Sequence, residues 1–97
     1  MQSILQHDTA KCALCGRRGT VLDKHHVFFG RGNRPKSERY GLTVYLCHDS
    51  CHIFGPRAVH ANHDICLLLQ QKAQRAAMKY YHWTVGDFQK IFGKNYL

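Results

Sequence analysis

The chain has 97 residues, the length of one small domain, and a chain this short rarely buries enough apolar surface to be stable without an added constraint. Fourteen Lys and Arg against six Asp and Glu give a formal net charge of +8, which argues against an acidic disordered tail and favours a polyanionic partner such as nucleic acid. No apolar run approaches the roughly twenty residues of a membrane span, and Met1–Ala10 lacks the basic start and apolar core of a signal peptide. We therefore expect a cytoplasmic protein that does not bind membranes.

Residues 1–10 show no periodicity, which predicts a short arm or a helical turn. The first motif follows this segment. Cys12 and Cys15 form a C-x2-C turn followed by Gly16, an arrangement that points two thiolates at one ion. Five Cys and eight His are a heavy load for this length, and cysteines that stay reduced in the cytoplasm favour metal binding over disulfides.

A second cysteine pair, Cys47 and Cys51, lies well separated from the first. Four thiolates would close a tetrahedral zinc site, and a closed site is structural rather than catalytic. The x3 spacing of this pair departs from the commoner x2, which leaves His48 or His52 as an alternative fourth ligand in place of Cys51. Cys66 falls within a helical pattern further along the chain and is not assigned to the metal.

Three short apolar stretches rich in β-forming residues lie between the cysteine pairs: Thr20–Leu22, Val27–Phe29 and Leu42–Leu46. They predict strands, with Asp23–His26 as the loop between the first two. Gly30–Gly41 contains three glycines, one proline and four cationic side chains, with little apolar material to bury. This composition predicts a basic loop.

The last third of the chain changes to a 3.6-residue period, which predicts a helix over Asp64–Tyr81 with Asn62 as its N-cap. The expected inward face comprises Ile65, Leu68, Leu69, Ala73, Ala76 and Tyr80. Thr84 then begins a capping-box pattern for a short helix over Asp87–Phe92, which Gly93 is expected to end.

His25 and His26 lie side by side between the two halves of the predicted zinc site. Adjacent side chains of a strand point to opposite faces, which suits distinct roles: one imidazole can bind a divalent ion while the other takes a proton from water. An isolated pair of histidines more often only ends a strand. Folding around one zinc ion, however, brings residues 25–26 near residues 47–52.

Several blocks follow one another in a specific order: the C-x2-C of Cys12 and Cys15, His25-His26-Val27-Phe28, Ser37-Glu38-x-Tyr40-Gly41-Leu42, Val44-Tyr45-Leu46-Cys47, Val59-His60-x-Asn62 and Phe92-Gly93-Lys94-Asn95-Tyr96-Leu97. Over residues 11–97 they resemble the zinc-bound branch of the HNH, or ββα-metal, endonucleases. The likeness is stronger to small phage and prophage proteins classed as HNH nucleases and similar to the recombination-associated nuclease Ref. It implies one α+β domain: an arm (1–10), a zinc-stapled ββα-metal core (11–63) and a helical part (64–97) with a long helix and a short terminal one.

The resemblance also implies roles for single residues. His26 matches the family's general base, His25 a ligand of the catalytic divalent ion, and His52 a second ligand. The family's next metal ligand usually follows four residues after the one that matches His52, where this chain has Pro56. We expect His60 to bind the catalytic ion in its place. A solvated loop position is the alternative for His60.

The family's central Asn, which orients the base, is replaced here by Leu42. A backbone carbonyl, Thr43 or Asn62 is then expected to hold the tautomer of His26, although the simpler role of Asn62 is the helix cap.

The function implied is that of a phage-encoded, metal-dependent DNA endonuclease or nickase acting in the bacterial cytoplasm. It would use structural Zn²⁺ and a catalytic divalent ion, either Mg²⁺ or a transition metal, which imidazole ligands favour. Arg31, Arg34, Lys36 and Arg39 of the basic loop are expected to bind DNA phosphates with weak sequence preference, unless the loop is simply solvated. A recombination or packaging protein is a further candidate partner, and the sequence leaves the oligomeric state open.

Two other functions compete with this one. A zinc-knuckle module that binds nucleic acid without cleaving it is favoured by the missing Asn at Leu42. A small interaction protein, with zinc only supporting its surface, is the third hypothesis.

Overall fold

The computed structural model describes residues 1–30, 32–53, 55 and 58–97. Its elements in chain order are strand β1 (Leu22–His26), helix α1 (Asn33–Tyr40), strand β2 (Thr43–Cys47), a π-helical segment (His48–Ile53), helix α2 (His63–Tyr81) and helix α3 (Val85–Phe92). This small mixed arrangement of helices and a two-stranded sheet confirms the predicted α+β class. Within the described ranges, no helix combines the length and apolar character needed to cross a membrane.

The two strands form an antiparallel ladder with Leu22 opposite Cys47 and His26 opposite Thr43. All residues of β2 except Tyr45 are buried. The predicted arrangement of two strands, Thr20–Leu22 and Val27–Phe29, around a polar loop is wrong. One strand runs through the polar stretch instead, because its charged and imidazole side chains find partners on other elements, described below.

The predicted basic loop is also wrong, because most of it forms α1. Pro35 lies in the first turn of the helix, where a missing N–H costs no helical hydrogen bond, and Gly41 ends the helix with a φ of +72°. Ser37 is its buried residue. The Ser37 hydroxyl accepts a hydrogen bond from the Phe28 N–H (3.0 Å) and donates one to the Phe28 carbonyl (2.6 Å), which fixes a helix without an apolar stripe.

The predicted helices at the C-terminal end are confirmed, with changes in detail. The Asn62 side chain accepts from the Ile65 N–H at 3.1 Å, so it caps α2 as expected. The capping box at Thr84 is present, and α3 begins at Val85, two residues before the predicted start. Part of the predicted inward face of α2 is wrong, since Leu68 and Tyr80 are 62% and 58% exposed. The buried residues of α2 are Cys66, Leu69, Ala73, Gln74 and Ala77.

The core centres on Phe28, which is fully buried just after β1. Its ring centroid lies 5.2 Å from that of Phe88, 4.8 Å from Phe92 and 4.9 Å from Tyr96. Helix α3 and the C-terminal residues therefore pack against the segment that directly follows the two adjacent histidines.

The N-terminal arm is not helical and runs beside β2. The Ile4 N–H donates to the Gly41 carbonyl at 2.9 Å, and the Gln6 side-chain oxygen accepts from the Tyr45 N–H at 2.8 Å. A Cβ atom on Gly41 would lie 2.6 Å from the Gln2 carbonyl oxygen. The arm therefore requires glycine at position 41 for its close approach, in addition to the left-handed backbone.

Gly41→Ala is expected to lower the free energy of unfolding by about 1–3 kcal/mol, because it adds left-handed strain and a steric clash. Gly86→Ala within α3 is the control, since its Cβ would meet Thr84 Oγ1 at an ordinary 3.7 Å. This second change should raise stability by about 0.5–1 kcal/mol. Denaturant melts in zinc-containing buffer measure both, and unchanged stability of Gly41→Ala would contradict the close packing of the arm.

Candidate metal centres

Four cysteines from distant parts of the chain meet at one point. The sulfur atoms of Cys12, Cys15, Cys47 and Cys51 all lie within 4.8 Å of one another, and those of Cys15 and Cys47 are 3.4 Å apart. A tetrahedral zinc ion with Zn–S bonds of about 2.3 Å separates its sulfur ligands by about 3.8 Å. The cluster therefore fits zinc, and it includes Cys51 rather than a histidine as its fourth member.

The first half of the cluster is a tight turn. The Gly16 N–H donates to the Cys12 carbonyl at 2.9 Å, and the Cys12 N–H donates to the Arg17 carbonyl at 3.0 Å. The Ala13 N–H donates to the Tyr45 carbonyl at 2.8 Å, which docks this turn on β2. Both sulfur atoms are thereby directed toward the end of β2.

The second half of the cluster, Cys47 and Cys51, shows why three residues separate this pair of cysteines. Cys47 ends β2 and Cys51 lies in the π-helical segment, so the four-residue interval places both side chains on one side of a helical turn. The same interval separates His48 from His52, which meet on a different side of the segment.

The pKa values of two of the cysteine thiols, Cys12 and Cys51, are shifted in opposite directions. Burial disfavours the Cys12 thiolate, but N–H groups of Cys15 and Cys47 donate to it, and the pKa of Cys12 falls to about 6. Burial and the neighbouring thiols raise the pKa of Cys51 to about 12. A soft cation would relieve this opposition by allowing the thiolates to form together.

A second cluster consists of three histidines. His25 comes from β1, His52 from the π-helical segment and His60 from the segment before α2, and their ring nitrogens lie within 4.8 Å of one another. The Nε2 atoms of His52 and His60 are 3.1 Å apart. Imidazole ligands at about 2.0–2.1 Å from a tetrahedral ion would be separated by about 3.3 Å, so the donor spacing fits a divalent metal.

Asp23 orients this cluster and was not identified from the sequence. Its Oδ2 atom accepts from Nδ1 of His52 at 2.8 Å and from Nδ1 of His48 at 2.6 Å. Because a carboxylate can only accept, the proton of neutral His52 lies on Nδ1 and its lone pair at Nε2 faces His60. Carboxylate partners hold metal-binding histidines in this way. The sequence did contain a signal for Asp23: it lies two residues before His25, and this spacing places the side chains of Asp23 and His25 on the same face of β1.

Burial keeps the first histidine of the cluster neutral. Burial foremost, followed by the charges of His52, His60 and His26, lowers the pKa of His25 to about 3. Burial and His52 also lower the pKa of His60. At neutral pH a proton therefore does not compete for the lone pair of His25.

His26 lies on the opposite face of β1 and contacts Glu38 of α1. Its Nε2 atom is 3.4 Å from Glu38 Oε1, and both oxygens of Glu38 accept from Lys24 Nζ at 2.8 Å. Thr43 lies directly across the ladder, but its buried Oγ1 has no hydrogen-bond partner among the described residues. The Asn62 side chain caps α2.

Glu38 is thus the side-chain partner that the structure gives His26, in place of the expected Thr43 or Asn62. The sequence concealed it because the contact depends on α1 being helical. Pro35 in the first turn and Gly41 after the last were the local signals for that helix.

The two adjacent histidines nevertheless reach one pocket of about 170 Å³, since β1 ends at His26. Its lining comprises Lys24, His25, His26, Phe29, Arg34, His52 and His60. A space of this size, lined by cationic side chains and imidazoles, suits an ion and a phosphate group.

The predicted DNA-binding cations are not equivalent. Arg34 is exposed and lines the pocket, whereas Lys36 Nζ donates to the Ile91 carbonyl, which ties it to the end of α3. Arg39 is exposed near the other end of α1, with its guanidinium 5.6 Å from the centre of the Tyr40 ring. Arg31 lies outside the described residues.

Comparison of the chain with protein-family models, with curated proteins and with solved structures gives no match.

Cys12→Ser is expected to abolish both zinc binding and the cooperative thermal melt, because the metal joins distant segments that a small core holds weakly. Cys66→Ala is the matched control, since Cys66 is buried outside the cluster. It should retain zinc at some cost in stability. Zinc content by atomic absorption and melts by circular dichroism measure both, and unchanged zinc content in Cys12→Ser would exclude Cys12 as a ligand.

Proposed function

We propose that this chain is a metal-dependent DNA endonuclease or nickase with an HNH-type ββα-metal core. The observation that carries the proposal is that His26 opens into the same pocket as the three-histidine cluster while being outside that cluster. A base beside a metal site is the arrangement that phosphodiester hydrolysis needs. The order of antiparallel strands followed by a helical segment bearing His52 supports the likeness to the ββα-metal core.

The three-histidine cluster would hold the catalytic ion. When bound, a divalent ion there supplies positive charge to the phosphoryl oxygens and to the departing 3′ oxygen. Three protein ligands leave coordination positions open, in contrast to the closed cysteine site. All-imidazole donors favour a transition metal over Mg²⁺.

His26 acts as the general base. With its Nε2–H donated to Glu38, the ring carries its lone pair on Nδ1, which accepts a proton from water. The water oxygen forms a bond to phosphorus while the P–O3′ bond breaks, and the departing oxygen takes a proton from solvent. The carboxylate of Glu38 stabilises the imidazolium that forms, as carboxylate partners of catalytic histidines do.

Arg34 binds the phosphate in the same pocket. The Lys24 ammonium group donates to both carboxylate oxygens of Glu38 and so positions the carboxylate that contacts His26. Because of this ion pair, Lys24 is less available than Arg34 to bind a DNA phosphate. The net charge of +8 supports a nucleic-acid partner. Contacts to phosphates carry no base information, which fits weak sequence preference.

The two adjacent histidines should respond differently to removal. His26→Ala is expected to slow nicking of supercoiled plasmid by at least about 10²-fold at every metal concentration, because it removes the base. His25→Ala should instead weaken metal affinity and regain part of its activity at high metal. Metal titrations at a fixed alkaline pH measure both.

His63→Ala is the control for these variants, since His63 is exposed at the start of α2 and outside the pocket. Recovery of His26→Ala by metal, with none for His25→Ala, would reverse the two assignments. Salt-sensitive DNA binding by the parent protein without nicking would favour the non-catalytic binding module.

Arg34→Gln should weaken DNA binding at all sequences and reduce the slope of log affinity against log salt concentration by about one unit, since one phosphate contact is lost. Arg75→Gln, an exposed position on α2, removes the same charge outside the pocket and should leave the slope nearly unchanged. The opposite pattern would put the DNA on α2.

A further inference from the structure

Phe29 presents an apolar ring at the wall of the three-histidine pocket. It is 42% exposed, although Val27 and Phe28 just before it are fully buried. Its ring centroid lies 5.2 Å from that of His60 and 5.9 Å from that of His25. A single exposed aromatic side chain is ordinary in itself. Its place beside the candidate metal ligands gives it significance.

The two residues before Phe29 are held in place by backbone hydrogen bonds. The Val27 N–H donates to the Leu42 carbonyl at 3.0 Å, and both backbone groups of Phe28 are bonded to the Ser37 hydroxyl. The ring of Phe28 is enclosed by α3, as described above. Phe29 is therefore held outward by a fixed scaffold, and a ligand that covers it would not have to order the segment first.

The neighbours of Phe29 define what such a ligand carries. Arg34, in the same pocket lining, can bind an anion such as phosphate, while the exposed part of the Phe29 ring can contact a flat apolar group. A nucleotide combines the two. In a perfect duplex each base is already stacked on its neighbours, so only an unpaired base can cover the ring, as in proteins that bind single strands by aromatic stacking.

We infer that the pocket takes single-stranded DNA, with a base next to the bound phosphate stacked on Phe29; the inference rests on the proposed nuclease function for the identity of the polymer. Phe29 is then a specificity-determining residue that favours unpaired over duplex DNA. It has no part in proton transfer.

Binding is measured first, in the His26→Ala background so that no substrate is consumed. The probe is a short fluorescein-labelled oligonucleotide, used as a single strand and annealed to its complement, with affinity read from fluorescence anisotropy. Phe29→Leu keeps an apolar side chain but removes the stacking face, and it should weaken single-strand binding at least about fivefold while leaving duplex binding unchanged. Phe29→Tyr should bind like the parent.

Tyr80→Leu is the matched control, because Tyr80 is a 58% exposed aromatic residue on α2 outside the pocket. It should change neither affinity, and zinc content verifies that every variant is folded. Unchanged single-strand affinity in Phe29→Leu, or an equal loss for single strand and duplex, would overturn the inference.

Cleavage of the same oligonucleotides with an intact His26 separates this inference from the proposed function. If DNA is cleaved but Phe29→Leu loses no preference for the single strand, the stacking inference is wrong and the nuclease proposal stands. If the Phe29-dependent preference is present in binding but neither oligonucleotides nor plasmid are cleaved, the stacking site stands and the nuclease proposal is wrong.

Discussion

The meeting of four sulfur atoms is the constraint on which the other features of this small structure depend. A two-stranded sheet is marginal by itself, and a chain of 97 residues has little further core to add. The cluster joins the turn of Cys12 and Cys15 to the end of β2 and the π-helical segment. Four thiolates this close would repel one another, and a bound cation would let them ionise together. A metal ion bound at the cluster would couple folding to metal binding. The register of β2 against β1, with Leu22 opposite Cys47, is set beside the cluster.

The four-residue interval between the end of β2 and the π-helical segment serves two clusters at once. It directs Cys47 and Cys51 to the sulfur cluster, and it directs the residues that follow each of them, His48 and His52, to a shared oxygen of Asp23. Cys51 of the sulfur cluster and His52 of the three-histidine cluster are adjacent in the chain, so one short segment positions a member of each cluster. Asp23 in turn fixes the lone pair of His52 on Nε2.

Strand alternation divides the polar stretch of β1 between two tasks. Asp23 and His25 face the three-histidine cluster, whereas Lys24 and His26 face Glu38 of α1. The strand ends at His26, so the two faces reach one pocket there. In the proposed mechanism this separation keeps His26 from binding the metal while placing it next to the metal site. Glu38 orients His26 in place of the family's central Asn, which is Leu42 in this chain.

The sequence by itself determined the features that depend on local pattern: the four-cysteine cluster, α2 and its Asn62 cap, and the capping box of α3. The sequence predicted a loop where α1 forms, because that helix has no apolar stripe. The helix is stabilised by tertiary contacts such as the two hydrogen bonds of the Ser37 hydroxyl to the backbone of Phe28. Only the tertiary structure decided that Glu38 meets His26 and that Asp23 meets His52. Those partners are 12 and 29 residues apart in the chain, and their contact depends on where α1 and the π-helical segment pack, which no local periodicity encodes.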